Sequence, residues 1–121
     1  MPKTEVVLFA EDDGTSPLLK WLDTLPPKVR VKCLARTERL AEEGHQLRRP
    51  EADYLHDGIY ELRVSFQRIQ YRILYFFQDK QAIISHGLMK QRRIPSKQID
   101  LAIERKTRFV ADPLKHTFEG G

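Results

Sequence analysis

Residues 59–89, IYELRVSFQRIQYRILYFFQDKQAIISHGLM, decide how this chain folds. No other stretch is as dense in β-branched and aromatic residues, and it breaks at two turn-like points. Ile59–Val64 reads as one strand, Ile69–Phe77 as a second and Ala82–Leu88 as a third. Strands this short, joined this tightly, pair as an antiparallel meander. In the middle strand Ile69, Tyr71, Ile73, Tyr75 and Phe77 alternate with Gln70, Arg72, Leu74 and Phe76. Successive strand side chains point to opposite faces, so the first set makes a continuous apolar face that should lie on helices. Arg72 then stands on the other face, beside Gln70.

Working outward, Glu5–Ala10 reads as a first strand, ended by Glu11-Asp12-Asp13-Gly14. Thr15 or Ser16 offers an N-cap oxygen and Pro17 suits a first helical turn, where its missing N–H is not needed. Leu18, Leu19, Trp21, Leu22 and Leu25 follow at helical spacing, predicting a short helix over Pro17–Leu25. The pair Pro26-Pro27 separates it from a second helix over Lys28–Glu43, with Gly44 as its stop, giving an αα-hairpin. His45–Gly58 is polar, contains Pro50 and ends in the turn signal Asp57-Gly58, so it reads as a loop. After the meander, Lys90–Arg93 is a basic exit loop. Pro95-Ser96 opens a last helix whose Ile99, Ala102, Ile103, Phe109 and Val110 share a side, and Asp112-Pro113 ends it. The prediction is an α+β domain of order β-α-α-β-β-β-α over residues 1–113. Its helices pack on one face of an antiparallel meander, and a flexible tail spans 114–121.

The 121 residues suffice for one modest core. A hydrophobic fraction of 40% and a charged fraction of 31% are ordinary for a soluble domain. No apolar run approaches the ~20 residues of a membrane span, and the N-terminus lacks a signal-peptide pattern. Cys33, the one cysteine, excludes an internal disulfide and a cysteine metal cluster, fits a reducing cytoplasm, and sits where a small buried hydrophobe belongs. The net charge of +4 permits an anionic partner without requiring one. Its distribution says more. Residues 62–99 contain one carboxylate, Asp79, among Arg63, Arg68, Arg72, Lys80, Lys90, Arg92, Arg93 and Lys97.

No phosphate-cradling glycine loop, metal-ligand pattern or serine-nucleophile elbow is present, so neither a cofactor nor a metal is expected. A cation-bearing sheet with one histidine, His86, at the end of its last strand remains. Metal-free RNA cleavage needs little more: a base for the 2′-hydroxyl proton, cations for the phosphorane, and an acid for the leaving 5′-oxygen. Arg72 could clamp the scissile phosphate, Lys90, Arg92 and Arg93 could grip it or its neighbours, and Tyr60 and Phe66 could stack a base. His86 is the candidate for proton transfer. Plainer readings stand beside these. Arg63 could pair with Glu61 or Glu51, and Arg72 with Glu5 or Glu61. Residues Lys90–Arg93 could be a solvated loop, His86 a structural hydrogen-bonding residue, and the Tyr71, Tyr75, Phe76 and Phe77 cluster simply core.

The segments DGIYELR (57–63), YRILYFF (71–77) and ISHGLMKQRRIP (84–95), followed by a helix, resemble toxins of bacterial type II toxin–antitoxin systems. The superfamily is RelE/ParE, and the branch is the HigB-like, phage-derived host-killing group. The resemblance spans about residues 4–111. It implies a RelE-like microbial RNase fold and ribosome-dependent cleavage of messenger RNA in the A site. It also implies inhibition by a cognate antitoxin, a helix-turn-helix protein of the HigA/Xre kind, with DNA met only through that partner. On this resemblance Arg72 matches the sheet arginine that contacts the scissile phosphate. Lys90 with Arg92 matches the basic segment after the last strand, with His86 nearby as a further catalytic candidate. Arg63 matches a recurrent arginine, and Arg68 and Arg93 join it as expected RNA contacts. The chain departs from the branch in having His86-Gly87-Leu88 where HGF is usual, and Lys90-Gln91 where paired lysines are usual. The segment up to Pro95 is one residue short. No C-terminal tyrosine is present, Tyr75 being the last. A ParE-like toxin that blocks DNA gyrase without catalysis, or an inactive homologue that only binds its partner, are the rival expectations.

Overall fold

The computed structural model describes residues 4–120, and residues 1–3 and Gly121 lie outside the described residues. Eight main elements follow in chain order. They are β1 (Glu5–Leu8), α1 (Pro17–Leu22), α2 (Pro27–Glu43), β2 (Ala52–His56), β3 (Ile59–Phe66), β4 (Ile69–Gln78), β5 (Gln81–Met89) and α3 (Ser96–Ala111). The expected α+β class and the β3–β4–β5 antiparallel meander are present. The five strands lie in the order β1-β5-β4-β3-β2, with β1 parallel to β5 along one edge.

Local chemistry sets the element ends. The Ser16 hydroxyl accepts from the Leu19 backbone N–H at 3.2 Å, and Pro17 occupies the first helical position of α1. Gly44, at φ 55°, closes α2 in a conformation that suits glycine. The hairpin turns Asp57-Gly58 and Gln67-Arg68 each carry two consecutive positive φ angles, as two-residue hairpin loops of type I′ require.

Three expectations are corrected. First, the span read as a loop, His45–Gly58, contains β2, which pairs antiparallel with β3 from Ala52 opposite Leu62. The order gains a strand because the Asp57-Gly58 turn has a strand on both sides. Second, the helices do not share one face. Tyr71, Ile73 and Tyr75 of β4 pack with α1 and α2, around Leu18, Val29, Cys33 and Leu40. Leu74 and Phe76 pack on the opposite face with Ile99, Ala102 and Phe109 of α3. Apolar residues at 74 and 76 need a cover as much as those at 73 and 75 do. Third, the tail is docked. Thr117 bridges Phe9 antiparallel, Ala10 N–H donates to the His116 carbonyl at 2.8 Å, and Phe118 N–H donates to Leu8 at 2.8 Å. The His116 ring is buried and stacks on Phe9, with centroids 5.1 Å apart. No helix among the described residues is long and apolar enough to cross a membrane.

Trp21 of α1 lies against Gly87 of β5 where a side chain would otherwise project, so the backbone approach there needs glycine. Cys33 is fully buried, and burial pushes its thiol up to about 11, which leaves it unreactive.

Candidate functional site

The α3 face of the sheet is only partly covered. Below α3, the end of β4 that carries Arg72 opens into a groove of about 610 Å³. Its walls come from Glu61 of β3, Arg72 of β4, Tyr54 and His56 at the end of β2, Arg92 and Arg93 of the exit loop, and Ile99 in the first turn of α3. The groove exists because the loop from Arg92 to Pro95 must turn back over the sheet before α3 can start, and Ile94 is the residue that anchors it in the core.

Arg72 is buried, and its Nη1 donates to Glu61 Oε1 at 2.6 Å. The two residues sit on neighbouring strands with Leu74 opposite Glu61 and Arg63 opposite Arg72, so the pair is diagonal across the sheet. Glu61 is shared: Arg63 Nε lies 3.8 Å from its other oxygen. Arg72 Nε is buried without a hydrogen-bond partner among the described residues. A guanidinium carries five donors, so Arg72 keeps capacity for a second anion beside Glu61. Three arginines face the groove against one carboxylate, which leaves it cationic.

The structure therefore brings together Arg72, Arg92 and Arg93. Lys90 borders an adjoining cavity of about 490 Å³ with Ile69, Met89 and Gln91, and Arg92 belongs to both. Arg68 is exposed in the β3–β4 turn, where its carbonyl accepts from the Gln91 side chain at 3.0 Å. Arg63 borders a third depression with Arg36, Glu51 and Gln70, and its carbonyl accepts from Arg36 at 2.7 Å.

His86 is placed elsewhere. It is buried beneath α3, with Nδ1 2.7 Å from the Ser85 hydroxyl and Nε2 2.8 Å from the Gln98 amide oxygen. An amide oxygen only accepts, so Nε2 carries the proton and Nδ1 accepts from Ser85. Burial first, with the nearby Arg105 cation adding to it against the opposing Gln98 bond, pulls the imidazole down to about 4. A neutral ring with both nitrogens engaged straps α3 to β5, and the expectation that His86 reaches a substrate gives way to that role.

The sequence reading missed Tyr54 and His56. The usable signal was the alternation ADYLH directly before Asp57-Gly58, with a second alternating run after it, which together mark a hairpin.

A five-stranded sheet, closed by a helical hairpin on one face and holding an arginine-lined groove beside a third helix on the other, defines a small α+β class with a cationic cleft. Within that class, the family model described as phage-derived protein Gp49-like (DUF891) matches residues 20–107. The chain belongs to this Gp49-like phage-derived family, a toxin-like family of the RelE/ParE type. The match runs from α1 into α3 and so includes every residue of the groove. None of the curated proteins matches the chain.

Proposed function

We propose that this protein is the toxin of a type II toxin–antitoxin system, of the HigB-like branch, acting as a metal-independent, ribosome-dependent messenger RNA endoribonuclease in the cytoplasm. The observation that carries the reading is the convergence of Arg72, Arg92 and Arg93 on one groove. A messenger RNA strand has a phosphate at every nucleotide, and a guanidinium fork matches phosphate geometry. Arg72, fixed by Glu61 on a rigid strand, would hold the scissile phosphate and offset the charge that builds as the 2′-oxygen attacks. Arg92 and Arg93, exposed on the exit loop, would take neighbouring phosphates, with Lys90 and Arg68 extending the track. The ribosome would supply alignment of the strand. A helix-turn-helix antitoxin of the HigA/Xre kind is the partner this reading requires.

The test is induction of the protein in a bacterium with mapping of messenger RNA 5′ ends. The expected result is growth arrest with new ends inside translated reading frames. The double substitution Arg92→Ala, Arg93→Ala should abolish the cuts while changing stability by no more than about 0.5 kcal/mol, since both side chains are exposed. Arrest with intact transcripts and a DNA-damage response would replace this reading with gyrase inhibition. Growth without arrest would leave a binding role only.

A further inference from the structure

We propose that His56 is the base that removes the ribose 2′-hydroxyl proton in this groove, an inference that rests on the nuclease reading above. His56 ends β2, where the pairing with β3 slips between Tyr54 and His56. A bulge of that kind re-aims the side chain that follows it. The slip brings the imidazole to the same cavity as Arg72, Arg92 and Arg93. The side chain is 52% exposed, so a strand lying in the groove can reach it.

The next residue orients it. Asp57, held at φ 53° by the tight turn, places Oδ2 2.7 Å from His56 Nδ1. A carboxylate accepts, so Nδ1 carries the proton and Nε2 keeps its lone pair. An exposed pair of this kind adds little stability, and its physical consequence is the choice of tautomer and ring orientation. His86 makes the contrast: both of its nitrogens are engaged beneath α3, whereas His56 presents a nitrogen with no partner among the described residues.

In the step, Nε2 takes the 2′-hydroxyl proton as the 2′-oxygen bonds to phosphorus. The bond from phosphorus to the 5′-oxygen breaks, and that oxygen takes a proton from water. The imidazolium then returns its proton to the hydroxide left behind. The products are a 2′,3′-cyclic phosphate and a 5′-hydroxyl. The charged groups around the ring are Asp57 from its own turn, Glu61 and Arg72 from the sheet, Arg92 and Arg93 from the exit loop, and Lys106 of α3, whose amine lies over Gly58.

The test uses the purified full chain with ribosomes carrying a messenger RNA, following single-turnover cleavage at saturating protein between about pH 5 and 8, the range in which imidazoles titrate. The parent rate should fall on the acid side. His56→Gln should cut a hundred- to ten-thousand-fold more slowly, on the order of one lost acid–base group, without that acid-side fall. Its melting temperature and ribosome affinity should stay at the parent's, and added imidazole should restore cleavage to His56→Ala. A His56→Gln protein that cuts at the parent rate overturns the assignment and leaves the nuclease reading intact. A slow variant that keeps the acid-side fall, or a His56→Ala protein that imidazole does not rescue, also overturns it. A parent that cuts no messenger RNA overturns both.

Discussion

Tyr71 and Arg72 are consecutive in β4, and both are buried, yet they face two different worlds. Tyr71 points to the helical hairpin, where Trp21 meets it edge-on with ring centroids 6.3 Å apart. Arg72 points to the side of α3 and meets Glu61 instead of a helix. Two residues along, Ile73 and Leu74 are both 0% exposed, one under the hairpin and one under α3. The hairpin covers its face from Tyr71 to Phe77 and leaves Ile69, at the start of β4, exposed, while on the other face α3 covers only the part from Leu74 to Phe76. The uncovered remainder is the groove. A functional cleft here is the place where one layer of the domain stops short, and its charges are tolerated because they are paired or wet.

The largest test of that comparison is at Arg72. Arg72→Ala should cost about 3–5 kcal/mol in urea unfolding, because it leaves the buried Glu61 carboxylate without its main partner. Replacing both with apolar residues, Glu61→Leu with Arg72→Met, should return most of that stability and still not cleave. If Arg72→Ala is as stable as the parent, Arg63 alone satisfies Glu61, and the central ion pair is not what holds this end of the sheet.

Next in size are the adjacent substitutions Ile73→Ala and Leu74→Ala. Each empties a fully buried site, one on either side of the sheet, and each should cost about 2–5 kcal/mol. Similar losses make both faces equal partners in the core. A much smaller loss at Leu74 would mean that α3 packs more loosely than the hairpin does.

The smallest effect is titratable. His86 is held down to about 4 by burial, against an ordinary 6.5. Between those values the unfolded chain binds a proton that the folded chain does not, so stability is full above the ordinary value and falls as pH drops toward 4. The loss is at most about 3 kcal/mol, from 2.5 pH units at 1.36 kcal/mol each. Paired carboxylates such as Glu51 and Asp53, lowered by their hydrogen bonds to Arg39 and Arg49, also lose stability in acid. The comparison that isolates His86 is therefore parent against His86→Gln at pH 7 and pH 4.5. A parallel decline in the two proteins would remove His86 as the acid-sensitive strap of α3.

Much of this was legible in the chain. The alternation through β4 put Arg72 opposite the Tyr71, Ile73 and Tyr75 face, and the structure has it there. Arg92 and Arg93 were legible as a basic exit loop, though not as one wall of a groove. The run RILYFF, apolar at consecutive positions from Ile73, is what a strand buried on both faces looks like, a sign of a second cover that the one-face expectation passed over. β2 was hidden because it is an edge strand with polar Asp53 and His56 and a proline just before it. His56 was lost with it.

The sequence by itself determined what depends on near neighbours along the chain. That includes the helices from their spacing and caps, the meander from its two-residue period, and the concentration of cations between residues 62 and 99. Periodicity says that a side of an element is apolar, but not which other element will cover it. Only the tertiary structure decided that α3 crosses to the far face, that residues 116–118 return to β1, and that Glu61 serves both Arg63 and Arg72. These contacts join residues far apart in sequence or on different strands, and burial and pairing, which choose among them, act through space.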